Sequence, residues 1–133
     1  MTITELATRV ALSASLALSG VVHAYLYVDG YRDIPTVGPA FLLQGSAFCA
    51  LAVLILAGGP AWLRLAAAIG AAGSLLAFGL SRTGGLFGFI ETGWQPAPYA
   101  VLTVIAEAVT VLLVVAIALS RRPRAALPTE LSR

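Results

Sequence analysis

The stretch VVHAYLYVDGYRDIP, Val21–Pro35, is where a long apolar run stops being apolar. It holds the only histidine, His23, three of the four tyrosines (Tyr25, Tyr27, Tyr31) and the charged side chains Asp29, Arg32 and Asp33. The run before it, residues 6–28, is long enough to cross about 30 Å of hydrocarbon at about 1.5 Å per residue. A cleaved signal peptide is the rival reading, with Arg9 as its basic region and Val22-His23-Ala24 as its cleavage site. The apolar run continues through that site to Val28, so a retained helix is expected.

Outward from this stretch the chain repeats the pattern. A second apolar run, 38–57, follows Pro35 and Pro39, which suit a helix start because proline lacks a donor that the first turn leaves unpaired. Gly58-Gly59-Pro60 breaks it, and a third run, 61–80, resumes at once, which predicts a tight antiparallel hairpin. A fourth run, 98–119, ends at Ser120-Arg121-Arg122-Pro123-Arg124. The expected fold is all-α: an antiparallel bundle of four transmembrane helices over residues 1–120, with a basic cytoplasmic tail at 121–133. Composition agrees, since 59% hydrophobic and 11% charged residues, with a mean hydropathy of +0.94, leave too little polar surface to cover a water-soluble globule of 133 residues.

The arginines orient the bundle. Four spans put both termini on one side, with Arg9, Arg64, Arg121, Arg122, Arg124 and Arg133, and leave Arg32 and Arg82 on the other. The positive-inside rule then predicts cytoplasmic termini in a bacterial plasma membrane. Tyr25, Tyr27, Tyr31, Phe87, Phe89, Trp94 and Tyr99 gather at the opposite, outer boundary. This bias exceeds a membrane-interface belt and predicts that the two outer loops pack together. The longer one, RTGGLFGFIETGWQPAP (82–98), is too apolar to project into water, so a short interfacial or re-entrant segment is expected in this third connection.

Polar residues inside the spans are few. Ser15, Ser19, His23 and Tyr27 recur every four residues along the first helix. Gly45 and Cys49, Ala66, Gly70 and Ser74, and Gly73 and Ala77 give the next two helices the small-residue spacing of close helix contacts. Glu107 lies about nine residues, roughly 13 Å, into the fourth helix. A carboxyl group at that depth turns inward to a partner, either as interhelical glue or as a functional group.

By the same depth estimate each span brings one strongly polar side chain to the outer half of the bilayer, and His23, Gln44, Arg82 and Glu107 are expected to converge. Arg82 has Glu107 or Glu91 as its ion-pair partner. Tyr27, Asp29, Arg32, Asp33 and Trp94 are expected to form an outer lid. The same cluster has two readings: a ligand site, or a hydrogen-bond network that fixes helix register.

Several chemistries are excluded. The lone Cys49 forms no internal disulfide, and there is no HExxH, no CxxC and no glycine-rich phosphate loop after a strand. One histidine leaves no second axial ligand for a bis-ligated haem. No metal and no cofactor is expected, and a net charge of +2 gives no reason to expect nucleic acid.

The segments HAYLYVDGYRDIPTVGPAFLLQ (23–44) and GLFGFIETGWQP (85–96), taken together, resemble a group of small four-helix integral membrane proteins of high-GC actinobacteria. The resemblance implies that both outer segments form one recurring structural unit, and it brings no activity with it. The function expected from size and motif content is non-catalytic: an accessory or assembly subunit docked in the bilayer against a larger membrane complex. The alternative is a small binding or transport protein, possible also as a homo-oligomer, with an outer-leaflet pocket for a lipophilic molecule whose polar head meets His23, Arg82 and Glu107, proton-linked through Glu107. An enzyme ranks third.

Overall fold

The computed structural model describes residues 1–121, so the expected tail beyond Arg121 lies outside the described residues. The four runs are four helices: α1 (Ile3–Leu26), α2 (Val37–Leu56), α3 (Trp62–Arg82) and α4 (Tyr99–Ser120). Each is long and apolar enough to cross a membrane, and the protein is a multi-pass, all-helical bundle. Among the described residues the only β pairing is an isolated bridge between Leu86 and Phe89.

Local chemistry sets the ends. Thr2 and Glu5 form a reciprocal capping box at the start of α1: Glu5 N donates to Thr2 Oγ1 at 3.1 Å and Thr2 N donates to Glu5 Oε2 at 2.7 Å. At its other end α1 widens into a π turn, Tyr27–Tyr31, that breaks at Gly30, where φ is 129°. Only glycine takes that conformation without steric cost. Each four-residue step of an α-helix overshoots a full turn by about 40°, so the stripe from Ser15 drifts and Tyr27 is only half-buried. The break at Gly30 brings Tyr31 back over the bundle, where it is buried.

α1 is the hub. Half of its membrane window is buried, against 17–28% for the other three helices. It packs along α2 and α4, α3 leans on α4, and α2 and α3 touch far less than these pairs despite their short turn. In lipid no hydrophobic force separates helix from solvent, so close approach through small residues holds such pairs together. Gly20 and Gly45 do this between α1 and α2: a Cβ on Gly45 would stand 3.0 Å from both Ala24 N and Gly20 O. Gly70 receives the Phe48 ring in the same way, whereas Gly73 has no neighbour within 4 Å and takes no part.

The core has two parts. Toward the termini, Leu12, Leu16, Phe48, Ile55, Leu63 and Ala67 belong to one cluster that joins α1, α2 and α3. Toward the loop end, Val22, Leu26, Tyr31 and Val37 form another, with Phe41, Phe89 and Tyr99 against it. The third connection contains no helix. It folds as a tight turn in which Leu86 N donates to Phe89 O at 2.8 Å and Phe89 N donates to Leu86 O at 2.9 Å, and Glu91 N donates to Ser81 O at 3.0 Å. That turn sets Phe89 against Tyr31, ring centroids 5.9 Å apart, so the two loops do pack together.

Candidate functional site

Glu107 is the centre of the buried polar groups. Its residue surface is 1% exposed, and one of its oxygens, Oε1, gathers donors from the other three helices. Ser19 Oγ on α1 and Ser74 Oγ on α3 each donate to it at 2.8 Å, and Gln44 Nε2 on α2 donates at 3.5 Å. One turn toward the termini, Ser15 Oγ and Thr110 Oγ1 lie 2.8 Å apart, extending the α1–α4 contact. In hydrocarbon an unpaired carboxyl is costly, and these donors hold Glu107 in place.

His23 sits one turn from Ser19 on the same face. Its Nδ1 is 2.9 Å from Ser19 O, and a carbonyl only accepts, so the ring proton is placed on Nδ1 and the Nε2 lone pair is left open. Nε2 lies 4.0 Å from Glu107 Oε1, beyond hydrogen-bond reach. Among the described residues neither His23 Nε2 nor Glu107 Oε2 has a partner, yet the only fully enclosed unpartnered side-chain atom is Ser13 Oγ. The free nitrogen and oxygen therefore face open space. That space is a cavity of about 90 Å³ lined by both residues; one water needs about 10–15 Å³ on this measure. Its walls come from α2 and α3 as well, through Phe41, Ser74 and Phe78, so all four helices contribute to it.

Arg82 and Glu91 line the loop end of the same cavity without touching Glu107. Arg82 Nη2 donates to Glu91 Oε2 at 3.0 Å, and the guanidinium also donates to Gly93 O, Gln95 O and Ser81 Oγ while lying 3.9 Å over the Phe78 ring. Its charge is committed to tying down the third connection. Tyr31 donates its hydroxyl proton to Glu91 Oε1 and stacks on Phe41 with centroids 4.8 Å apart. Tyr31, Phe89 and Leu86 close the cavity at this end.

Of the residues expected to converge, His23, Gln44 and Glu107 meet at one point, while Arg82 and Glu91 form a second group above them. The lid is corrected. Asp29, Arg32 and Asp33 are exposed, Tyr27 is half-buried, Trp94 packs outside on Phe78 with centroids 5.6 Å apart, and none of the five lines the cavity. Tyr31 and Phe89 cover it instead, because Gly30 and the Leu86–Phe89 turn redirect the chain.

Sequence reasoning missed Ser74 as a donor, since its place among small residues marked it only as a contact surface. It also missed Phe41, whose edge meets the His23 ring at 5.0 Å. The available signal was helical phase: Ser74 follows Gly70 by one turn on the face turned to α2 and α4.

Ser19, His23 and Glu107 are not arranged as a hydrolytic triad. Ser19 donates to the carboxyl group rather than to imidazole, and His23 directs its ring proton to a backbone carbonyl. Among the described residues no three His, Cys, Asp or Glu side chains are grouped to hold a metal ion. No family model matches the chain, and no curated protein or solved structure shows significant similarity to it.

Proposed function

We propose that this chain is a non-catalytic binding protein of a bacterial plasma membrane, both termini cytoplasmic, whose loop-end cavity holds the polar head of a lipophilic molecule. The observation that carries this reading is the pair of unpartnered atoms, His23 Nε2 and Glu107 Oε2, on one cavity inside an otherwise apolar bundle. A network that served only to fix helix register would use both oxygens of Glu107 and leave no void beside them. The cavity accommodates a small head, and its largely apolar lining, including Leu26, Phe41 and Val104, suits the start of an apolar chain. Tyr31 and Phe89 screen the head from water. The arginine count at the termini end supports the orientation.

The second reading, an accessory subunit of a larger membrane complex, is favoured by one observation. Phe87 is 73% and Ile90 64% exposed at the tip of the third connection, an apolar surface suited to a partner or to the membrane interface.

Gentle-detergent purification with mass spectrometry of proteins and small molecules separates the two. The binding reading expects a lipophilic molecule retained by the wild type and lost from Glu107→Ala and from the cavity-filling Ala77→Phe. A wild-type chain that carries no small molecule and elutes with a stoichiometric membrane protein overturns it in favour of the accessory reading.

A further inference from the structure

At the opposite end of the bundle a second cavity, of about 280 Å³, is lined by Arg9 of α1, Arg64 of α3 and Arg121 at the end of α4. Among the described residues the only arginine–carboxylate pair is Arg82–Glu91, and none of these three arginines lies within 4.0 Å of a carboxylate. Nor, among the described residues, does any of their guanidinium groups donate a hydrogen bond, in contrast to Arg82, which donates to four acceptors. The one carboxylate on the cavity among the described residues, Glu5, is turned back onto Thr2 N at 2.7 Å.

Room for Arg9 is built into the α2–α3 turn. Its Nη1 would stand 2.9 Å from a Cβ on Gly58, a residue whose φ of 92° already favours glycine. Leu12 and Ile55 form an apolar floor below the arginines. Three cations around one concavity outnumber its single carboxylate, Glu5, and leave an excess of positive charge that an anion offsets, and the guanidinium fork matches phosphate oxygens in particular. The cavity also lies where the spans end, at the level of lipid headgroups.

We propose that the cavity between Arg9, Arg64 and Arg121 binds a phosphate group, carried by a phospholipid headgroup or by a soluble phosphate. The site is separate from the loop-end cavity and does not depend on how that cavity is used.

The test is native mass spectrometry of the full chain in detergent, titrated with phosphatidylglycerol or with diacylglycerol of the same acyl chains, and in parallel with inorganic phosphate read by thermal shift. A lipid phosphate is expected to appear as retention of phosphatidylglycerol over diacylglycerol. Arg9→Gln and Arg64→Gln should each weaken that retention roughly fivefold, the effect of about one headgroup-level charge. Arg9→Lys, which keeps the charge and loses the fork, should give an intermediate loss and covers the case of a poorly folding glutamine variant. A thermal shift with inorganic phosphate that vanishes in Arg64→Gln, without lipid preference, assigns the site to a soluble phosphate. Equal retention of both lipids with no phosphate shift overturns the proposal. So does an equal loss in Arg32→Gln, which removes an exposed charge at the far end of the bundle.

Discussion

Ser19 and Glu107, 88 residues apart in the chain, are joined by a 2.8 Å hydrogen bond inside the bundle, and the same carboxyl oxygen accepts from Ser74 at 2.8 Å. One acceptor thus links α1, α3 and α4. Hydrogen bonds between membrane helices contribute on average about 0.6 kcal/mol by double-mutant cycles. Ser19→Ala and Ser74→Ala are each expected to lower stability by about 0.5–1 kcal/mol in detergent unfolding. Glu107→Leu should cost more than their sum, because both hydroxyls then lose their acceptor; a loss no larger than for either serine variant would contradict a shared acceptor.

The Gly20–Gly45 contact predicts a sharp asymmetry among glycines. Gly45→Ala places a methyl 3.0 Å from two backbone atoms of α1 that cannot move independently. A destabilisation of about 1–3 kcal/mol is expected from overpacking. Gly73→Ala enters open space and should be neutral or stabilising by up to about 1 kcal/mol through helix propensity. Thermal unfolding of the two purified variants side by side checks the contrast.

Tyr31, Glu91 and Arg82 should act together in holding the third connection. Tyr31→Phe removes only the hydrogen bond to Glu91 and is expected to cost about 1 kcal/mol, while Tyr31→Ala also removes the rings' contact with Phe41 and Phe89 and should cost roughly 3 kcal/mol. Amide hydrogen exchange at Phe89 and Glu91 is the direct readout. Both amides are bonded in the closed arrangement, so protection should fall in Tyr31→Ala and in Glu91→Gln.

Topology is open to labelling with an impermeant maleimide. In a Cys49→Ala background, Asp33→Cys and Thr92→Cys are expected to react from outside intact cells and Ala61→Cys only after lysis. The reverse pattern would invert the orientation and place the arginine cavity on the outer face.

Hydropathy and breakers were enough to find the spans, since a helix in lipid satisfies its own backbone and needs only about 20 apolar residues in sequence. The depth estimate put His23, Gln44 and Glu107 at one level, and the three side chains lie together in the bundle. It left Arg82 between Glu107 and Glu91, because one level still leaves a choice of partners: Glu91, brought near by the Leu86–Phe89 turn, is within 3.0 Å of its guanidinium. The lid was misread for a related reason. Charge and aromaticity marked Asp29, Arg32, Asp33, Tyr27 and Trp94, but the backbone at Gly30 decides which side chains turn inward.

The sequence by itself determined four membrane-competent helices, their antiparallel order and the depth of each polar residue, because each of these is a property of one continuous segment. Only the tertiary structure decided that Ser74 rather than Arg82 meets Glu107, that Tyr31 covers the cavity, and that Arg9, Arg64 and Arg121 share another. Those facts depend on the rotation of each helix about its axis. In lipid that rotation is set by pairwise contacts such as Gly20 against Gly45 and Phe48 against Gly70, which no single segment contains.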